Sequence, residues 1–398
     1  MVFDLSGVAY LSSEAGAADL ASASAYTFSA GTLVADTAAL RSEFGDRAAV
    51  LAQTVQLRRK AAAKLGAVDH WLFTDDALQQ ATPAAVARHR AARLAGLVVH
   101  DVTCSVGAEL AALDGVAAVV IGSDIDPVRT AMARHNIGER VLVCRADALA
   151  PSSRAQVVIA DPGRRSGGRR RFDPSAYSPP LDAVLRTYAD RDVVVKCAPG
   201  LDFVELREQT GFDGEIEVVS LDGGVREACL WSAGLARVRR RATVLLTAGD
   251  GYQLTDADPD DCAVAEVGEW IIDPDGAVVR AGLVRHYAAR HGLWQLDSHI
   301  AYLSGNSVPP GMQGYRVLDS LPYSEKRLRQ ALAARDCGSV EITVRGIDVD
   351  PAVLRTRLKL RGRVALSVVI TRMDSGAKAF VCEARSPGGI RTPDPRSA

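Results

Sequence analysis

VVHDVTCSVG at residues 98–107, AAVVIGSDID at 117–126 and AQVVIADPG at 155–163 are three apolar runs that each lead into an aspartate. Runs of this kind, separated by segments of helical character, predict strands buried on both faces of a parallel sheet. Ligands of such sheets bind beyond the carboxyl ends of the strands, where Asp101, Asp124 and Asp161 stand. The first run opens into a turn with a single glycine, Gly107. A dinucleotide calls for G-x-G-x-x-G, so that backbone amides meet the pyrophosphate, and Ser105 takes the place of the first glycine. A P-loop calls for Gly-Lys-Ser or Gly-Lys-Thr, and neither lies near a strand. Carboxylates around one glycine turn therefore point to a nucleoside ligand without a polyphosphate.

S-adenosylmethionine meets that description, because it has no phosphate and an acid after the second strand can accept from both ribose hydroxyls. Asp124 holds that position, and hydrogen bonds to an ionised acceptor contribute roughly 1.5–3 kcal/mol each. In order, DVTCSVGAEL (101–110), IGSDIDPVRTAMARHN (121–136), CRADAL (144–149), VVIADPGRR (157–165) and VVVKCAPGLD (193–202) resemble the motif series of class I S-adenosylmethionine-dependent methyltransferases. The resemblance implies an α/β fold: a Rossmann-like class I core with a helical N-terminal region and a small α+β C-terminal domain. It implies cofactor contacts from Asp101, Cys104 and Gly107 at the methionine end, Asp124 and Ile125 at the ribose, and Asp147 with Ala148 at the adenine edge. Asp161 with Pro162 would face the reacting atom as the catalytic pair.

At 398 residues the chain has room for two or three domains. The expected segments are a helical region at 1–94, the methyltransferase core at 95–249, a linker and connecting segment at 250–314, a C-terminal domain at 315–385 and a disordered tail at 386–398. No basic start followed by an apolar stretch and no apolar run of membrane-spanning length occurs, so a cytoplasmic protein without membrane contact is expected. The seven cysteines include no C-x-x-C pair, which argues against a disulfide framework and against zinc or iron–sulfur sites. No metal is expected: His286, His291 and His299 share no helical face with a carboxylate, and the aspartates of 250–261 lack the glycine and glutamate of a calcium loop.

In the N-terminal region, Thr82-Pro83 reads as a helix start, with threonine as cap and proline in the first turn. The helix carries Arg88, His89, Arg90 and Arg93. They read either as a solvated face or as the cations of a lid over the cofactor. After the fourth strand, DPGRRSGGRRRFDPSAY (161–177) keeps Asp161 and Pro162, but has Gly163 and Arg164 where amino methyltransferases acting on nucleic acid often have Pro-Tyr. Arg164, Arg165, Arg169, Arg170 and Arg171 are read as phosphate contacts, and Phe172 or Tyr177 as a ring that stacks on a base. Lys196 is a second cation facing the site or a lysine whose buried stem reaches out. EIEVVSLDGGVREACLWSAGL (215–235) and RRRATVLLTAG (239–249) are expected as one antiparallel pair with Gly223-Gly224 at the turn. Glu227 and Trp231 are expected to be structural.

Residues 270–297 read as a strand, a turn and an amphipathic helix. From Tyr315 to Glu383 the pattern is strand, helix, strand, helix and a closing hairpin, with 13 Lys and Arg against 8 Asp and Glu. This unit resembles the THUMP-like domain attached to methyltransferase cores, which, with its charge, implies an RNA partner. The whole reads as a methyltransferase acting on an RNA base nitrogen. The alternatives are a non-catalytic cofactor-binding protein that binds RNA, and a methyltransferase of proteins or small molecules. The oligomeric state is left open. Gly389 to Pro393 can be encoded by the complement of the T-arm of transfer RNA genes, so the tail reads as antisense run-through without a selected role. Truncation after Arg385 is therefore expected to leave the melting temperature and methyl transfer unchanged.

Overall fold

The computed structural model describes residues 3–164 (Arg164 in its backbone alone), 177–309, 312–373 and 376–384. The tail lies outside the described residues. The chain divides into two compact units, residues 1–239 with 245–251, and residues 240–244 with 252–398.

The first unit opens with six helices: α1 (Leu5–Leu11), α2 (Glu14–Ala23), α3 (Leu33–Phe44), α4 (Ala48–Leu65), α5 (Asp75–Gln80) and α6 (Ala84–Ala92). The sheet follows as β1 (Val98–Asp101), α7 (Ala108–Leu113), β2 (Val119–Asp124), α8 (Pro127–Ile137), β3 (Leu142–Arg145), β4 (Val157–Ala160), a short ribbon of β5 (Gly163–Arg164) and β6 (Tyr177–Ser178), α9 (Leu181–Thr187), β7 (Asp192–Cys197), α10 (Phe203–Thr210), β8 (Glu215–Leu221) and β9 (Gly224–Trp231). Its strands lie in the order β8-β9-β7-β4-β1-β2-β3. The five from β7 to β3 are parallel and β9 runs against β7. This is the Rossmann-like core that the resemblance implies. β4 is buried at all four residues, as its β-branched run requires.

One apolar core joins the helices to the sheet: Leu20, Leu40, Leu51, Val55, Trp71 and Phe73 cluster with Val99, Leu110, Met132, Ile137 and Ile159. Asn136 near the end of α8 staples them. Its side chain accepts from Leu72 N at 2.7 Å and donates to Leu72 O at 3.0 Å and to Val106 O at 2.9 Å.

Helix α6 departs from both sequence readings. Its cap position is Pro83, without a side-chain cap, and Thr82 is buried beside it. Of its cations only Arg88 is exposed. Arg90 is 1% exposed and bridges Glu109 Oε2, at 2.6 Å, to Glu227 Oε1. Arg93 pairs with Glu215 at 2.7 Å and Glu217 at 3.0 Å and lies 3.7 Å over the Trp231 ring, while His89 reaches Glu217 at 2.7 Å. Glu215 and Glu217 are two residues apart on β8, so their side chains share the face on which α6 docks. The expected cap and solvated face are replaced by a buried ionic seam. The hairpin differs too: residues 215–231 supply both strands, and the turn is Asp222-Gly223, with φ 52° and 76°, the primed geometry that suits a two-residue loop.

The second unit begins with β10 (Arg240–Leu245), paired antiparallel with β11 (Tyr252–Thr255), so part of the expected linker is a strand. Asp258 accepts from Thr255 N at 2.7 Å and Arg290 Nη2 at 2.9 Å. Then come β12 (Trp270–Ile272), α11 (Gly276–Arg280) where a turn was expected, α12 (Val284–His291), β13 (Trp294–Gln295) and β14 (Leu303–Gly305). His286 is buried at 7% exposure. The expected alternation closes the chain: β15 (Gly314–Pro322), α13 (Glu325–Ala333), β16 (Cys337–Arg345), α14 (Pro351–Leu358), β17 (Val364–Met373) and β18 (Gly376–Glu383). Strands β12 to β18 form one sheet in the order β13-β14-β12-β15-β18-β17-β16, so the connecting segment and the C-terminal residues share it.

Removing one partner of a buried ion pair leaves the other charge uncompensated, at a cost of about 3–5 kcal/mol. Arg90→Ala is expected to lose about that much in urea unfolding, whereas Arg88→Ala on the exposed face should stay within about 0.5 kcal/mol of the parent.

Candidate active site

β1 ends at Asp101, and the chain turns through Thr103, Cys104 and Ser105 to Gly107, the residue before α7. Ser105 adopts φ 49° and Gly107 φ 93°, both left-handed. The serine thus takes a conformation usually left to glycine, and its amide is held by Asp124 Oδ2 at 2.9 Å. At Gly107 no side chain fits, because a Cβ would stand 2.9 Å from Ile137 Cγ1. Asp124 Oδ1 accepts from Asp126 N at 2.9 Å. Two carboxylate oxygens offer about four lone-pair positions, so ligand hydroxyls still find acceptors there.

A cavity of about 410 Å³ lies at these strand ends. Asp101, Cys104, Asp124, Ile125, Asp147, Ala148, Asp161 and Lys196 line it, as do Thr103 and Glu109, which the sequence reading passed over. Gly107 is not on its wall; it shapes the turn from beneath. Asp147 Oδ1 accepts from Leu149 N at 2.9 Å and Ala148 O accepts from the Tyr188 hydroxyl at 2.7 Å, which fixes that rim. The roof is Ala77, Gln80, Ala81 and Thr82, the end of α5 and the link to α6. None of the cations of α6 lines this cavity; the uncharged residues before the helix do.

A second cavity, about 620 Å³, is lined by Lys64, Pro162, Tyr177, Arg226 and Glu227. The two share Gln80, Ala81, Thr82, Asp161, Gly163 and Lys196. Asp161 stands in this common wall, its amide donating to Thr103 Oγ1 at 2.6 Å and its Oδ2 accepting from the Lys196 ammonium. Pairing of β5 with β6 sets Gly163 opposite Ser178 and Arg164 opposite Tyr177. Tyr177 is buried, and its hydroxyl accepts from Ala198 N at 3.4 Å. Arg165, Arg169, Arg170, Arg171 and Phe172 lie outside the described residues.

Burial, and then the Glu109 carboxylate, push the Asp101 carboxyl up to about 7, against the Thr103 amide and the Lys196 ammonium. Burial opposes the charge on Lys196, yet Asp161, with Glu227 and Glu109, outweighs it and raises its pKa. Lys64 is lowered by burial and by the like charges of Lys196 and Arg226.

Comparison with known proteins decides the family. Two relatives from Mycobacterium tuberculosis, strains CDC 1551 and H37Rv, each named as an uncharacterized S-adenosylmethionine-dependent methyltransferase, are 59% identical over 358 residues, covering 86% of this chain and 99% of each relative. The chain belongs to the S-adenosylmethionine-dependent methyltransferases. Residues 312–384 match the family described as THUMP domain-like. A crystal structure from Porphyromonas gingivalis W83, described as a candidate methyltransferase, has the same fold, with a TM-score of 0.75 over 97% of this chain and 100% of that one, at 18% identity.

The cofactor of this methyltransferase is S-adenosylmethionine, and the donor set of the first cavity fits it. Asp101, Glu109, Asp124, Asp147 and Asp161 face Arg129 and Lys196 there, an acidic lining that suits a sulfonium and an ammonium and repels a pyrophosphate. Among the described residues, no group of three or more metal-ligating side chains comes together and no helix is long and apolar enough to cross a membrane.

An ionised Asp101 holds a cationic ligand better than a protonated one. Glu109, Asp161 and Lys196 are the charged groups around it, with Arg90 behind Glu109. Cofactor affinity, measured calorimetrically, is expected to fall as pH drops through about 7, and Asp101→Asn should flatten that dependence.

Proposed function

We propose that this methyltransferase transfers a methyl group to a nitrogen of an RNA base, exocyclic or in the ring. The observation that carries this reading is the wall shared by the two cavities, with Asp161 and Lys196 reachable from both. In this reading the first cavity holds the cofactor, through Asp101, Asp124, Ile125, Asp147 and Ala148, and the second takes the acceptor. S-adenosylmethionine supplies an activated methyl group, so the protein's task is alignment, and strong general-base catalysis is not required.

Asp161 accepts hydrogen bonds from the acceptor amine and aims its lone pair through the wall. Lys196 holds Asp161 in place by their ion pair, and Thr103 holds its backbone. Pro162 and the buried Tyr177 bound the second cavity and offer apolar surface to a flat acceptor. The other cations of that cavity, Lys64 and Arg226, and those of the segment from Arg164 to Arg171 would meet backbone phosphates. The THUMP-like match and the excess of 13 basic over 8 acidic residues between Tyr315 and Glu383 support a polyanionic substrate.

The test is transfer of a tritiated methyl group to total RNA. Asp161→Asn is expected to lower kcat by a factor of about 100 or more, with the cofactor Kd changed less than about twofold. Label that survives ribonuclease would overturn RNA as the acceptor, and unchanged kcat would remove Asp161 from the reaction.

A further inference from the structure

Glu227 lies midway along β9 and is 7% exposed on the wall of the second cavity. Lys196 pairs in register with Cys229, two residues further on, so Lys196 and Glu227 project from the same face of adjoining strands. Arg90 Nη2 donates to Glu227 Oε1. Among the described residues no other donor reaches this carboxylate, and its Oε2, unlike Glu109 Oε1, is not sealed from solvent. That oxygen therefore keeps an accepting position open to the space that Glu227 borders, the second cavity. Burial raises the Glu227 pKa, against Arg90 and then Lys196; the guanidinium in direct contact holds the carboxylate ionised.

The second cavity thus offers two groups that only accept, Asp161 and Glu227. Asp161 meets the nitrogen that receives the methyl group, and Glu227 meets what lies beside it on the same edge. The ring atom next to an exocyclic amine differs between bases. N1 of adenine and N3 of cytosine present a lone pair, which an ionised carboxylate repels. N1 of guanine presents a hydrogen, which it accepts. Uracil has no exocyclic amine and flanks its one N–H with carbonyl oxygens. Guanine alone brings two adjacent donors, N1–H and the N2 amine, to one edge.

We propose that the base taken by the second cavity is guanine, presented by its Watson–Crick edge, with Glu227 Oε2 accepting from it beside Asp161. This rests on the reading of that cavity as the site of an RNA base. The methyl group goes to N1 or N2, on the edge that the carboxylates hold, and not to N7 on the opposite edge. The nitrogen lone pair forms the new bond to the methyl carbon, the methyl–sulfur bond breaks with its electron pair to sulfur, and the proton lost from nitrogen passes to water. A buried acceptor left without its donor disfavours every base that lacks one at that position.

The full chain, with S-adenosylmethionine tritiated in its methyl group and total RNA, tests the assignment once the RNA is digested to nucleosides and these are separated by chromatography. Label is expected in guanosine methylated at N1 or N2. Label in adenosine, cytidine or uridine, or on guanine N7, would overturn the choice of base and leave the RNA reading standing. Label that survives ribonuclease would remove RNA itself, and this inference with it. Glu227→Gln keeps an oxygen for Arg90 and is expected to lower kcat/KM for RNA at least about tenfold, with the S-adenosylmethionine Kd changed less than about twofold. A role confined to the ionic seam would instead lower the urea midpoint and leave kcat/KM of the folded variant unchanged, which would overturn the contact from Glu227. If the variant does not fold, the identity of the labelled nucleoside decides alone.

Discussion

The buried ionic seam between α6 and the sheet is the constraint on which the first unit depends. Arg90, Arg93 and His89 enter a layer that also holds Glu109, Glu215, Glu217 and Glu227. Burying such charges is expensive, and the expense is offset only when every partner is in register. The seam therefore permits one placement of α6. That placement sets the link from Gln80 to Thr82 as the roof of both cavities. It also sets the two ends of Arg90 on carboxylates that line different cavities, Glu109 on the first and Glu227 on the second.

The chemistry of the site follows from a division of charge. The first cavity has an acidic lining, which suits a cationic ligand; the second adds Lys64 and Arg226 and is the more basic of the two. Asp161 and Lys196 form the boundary, each neutralising the other, so neither cavity carries an unpaired charge into the other. An apolar wall would separate the sites as well but could orient no acceptor. A single wide cleft would orient it but admit water to the activated methyl group.

Much of this was legible in sequence. Strand ends at Asp101, Asp124 and Asp161 follow from apolar runs that stop at a charge, and the alternation of 315–383 followed from period alone. Of the named cofactor residues, only Gly107 lies off the cavity wall. The misreadings share a cause. Arg90 and Arg93 look solvated because their partners lie 19 to 137 residues away, and no local pattern records such a pairing. Glu109 was passed over although it stands two residues from Gly107, because its partner Arg90 lies on a helix before the first strand and no local pattern records the pair. Residues 252–255 read as linker because their partner strand, β10, is what makes them a strand.

Sequence by itself determined the buried parallel strands, the acids at their tips, the single glycine and the basic C-terminal alternation, since each is set by burial, backbone conformation or charge within a few residues. Tertiary structure decided which of the many carboxylates are paired, which oxygen of Glu109 is left without a donor, and that Asp161 and Lys196 divide two cavities. Electrostatic pairing acts through space between distant segments, and a carboxylate buried against a guanidinium and one facing a ligand are spelled with the same letter.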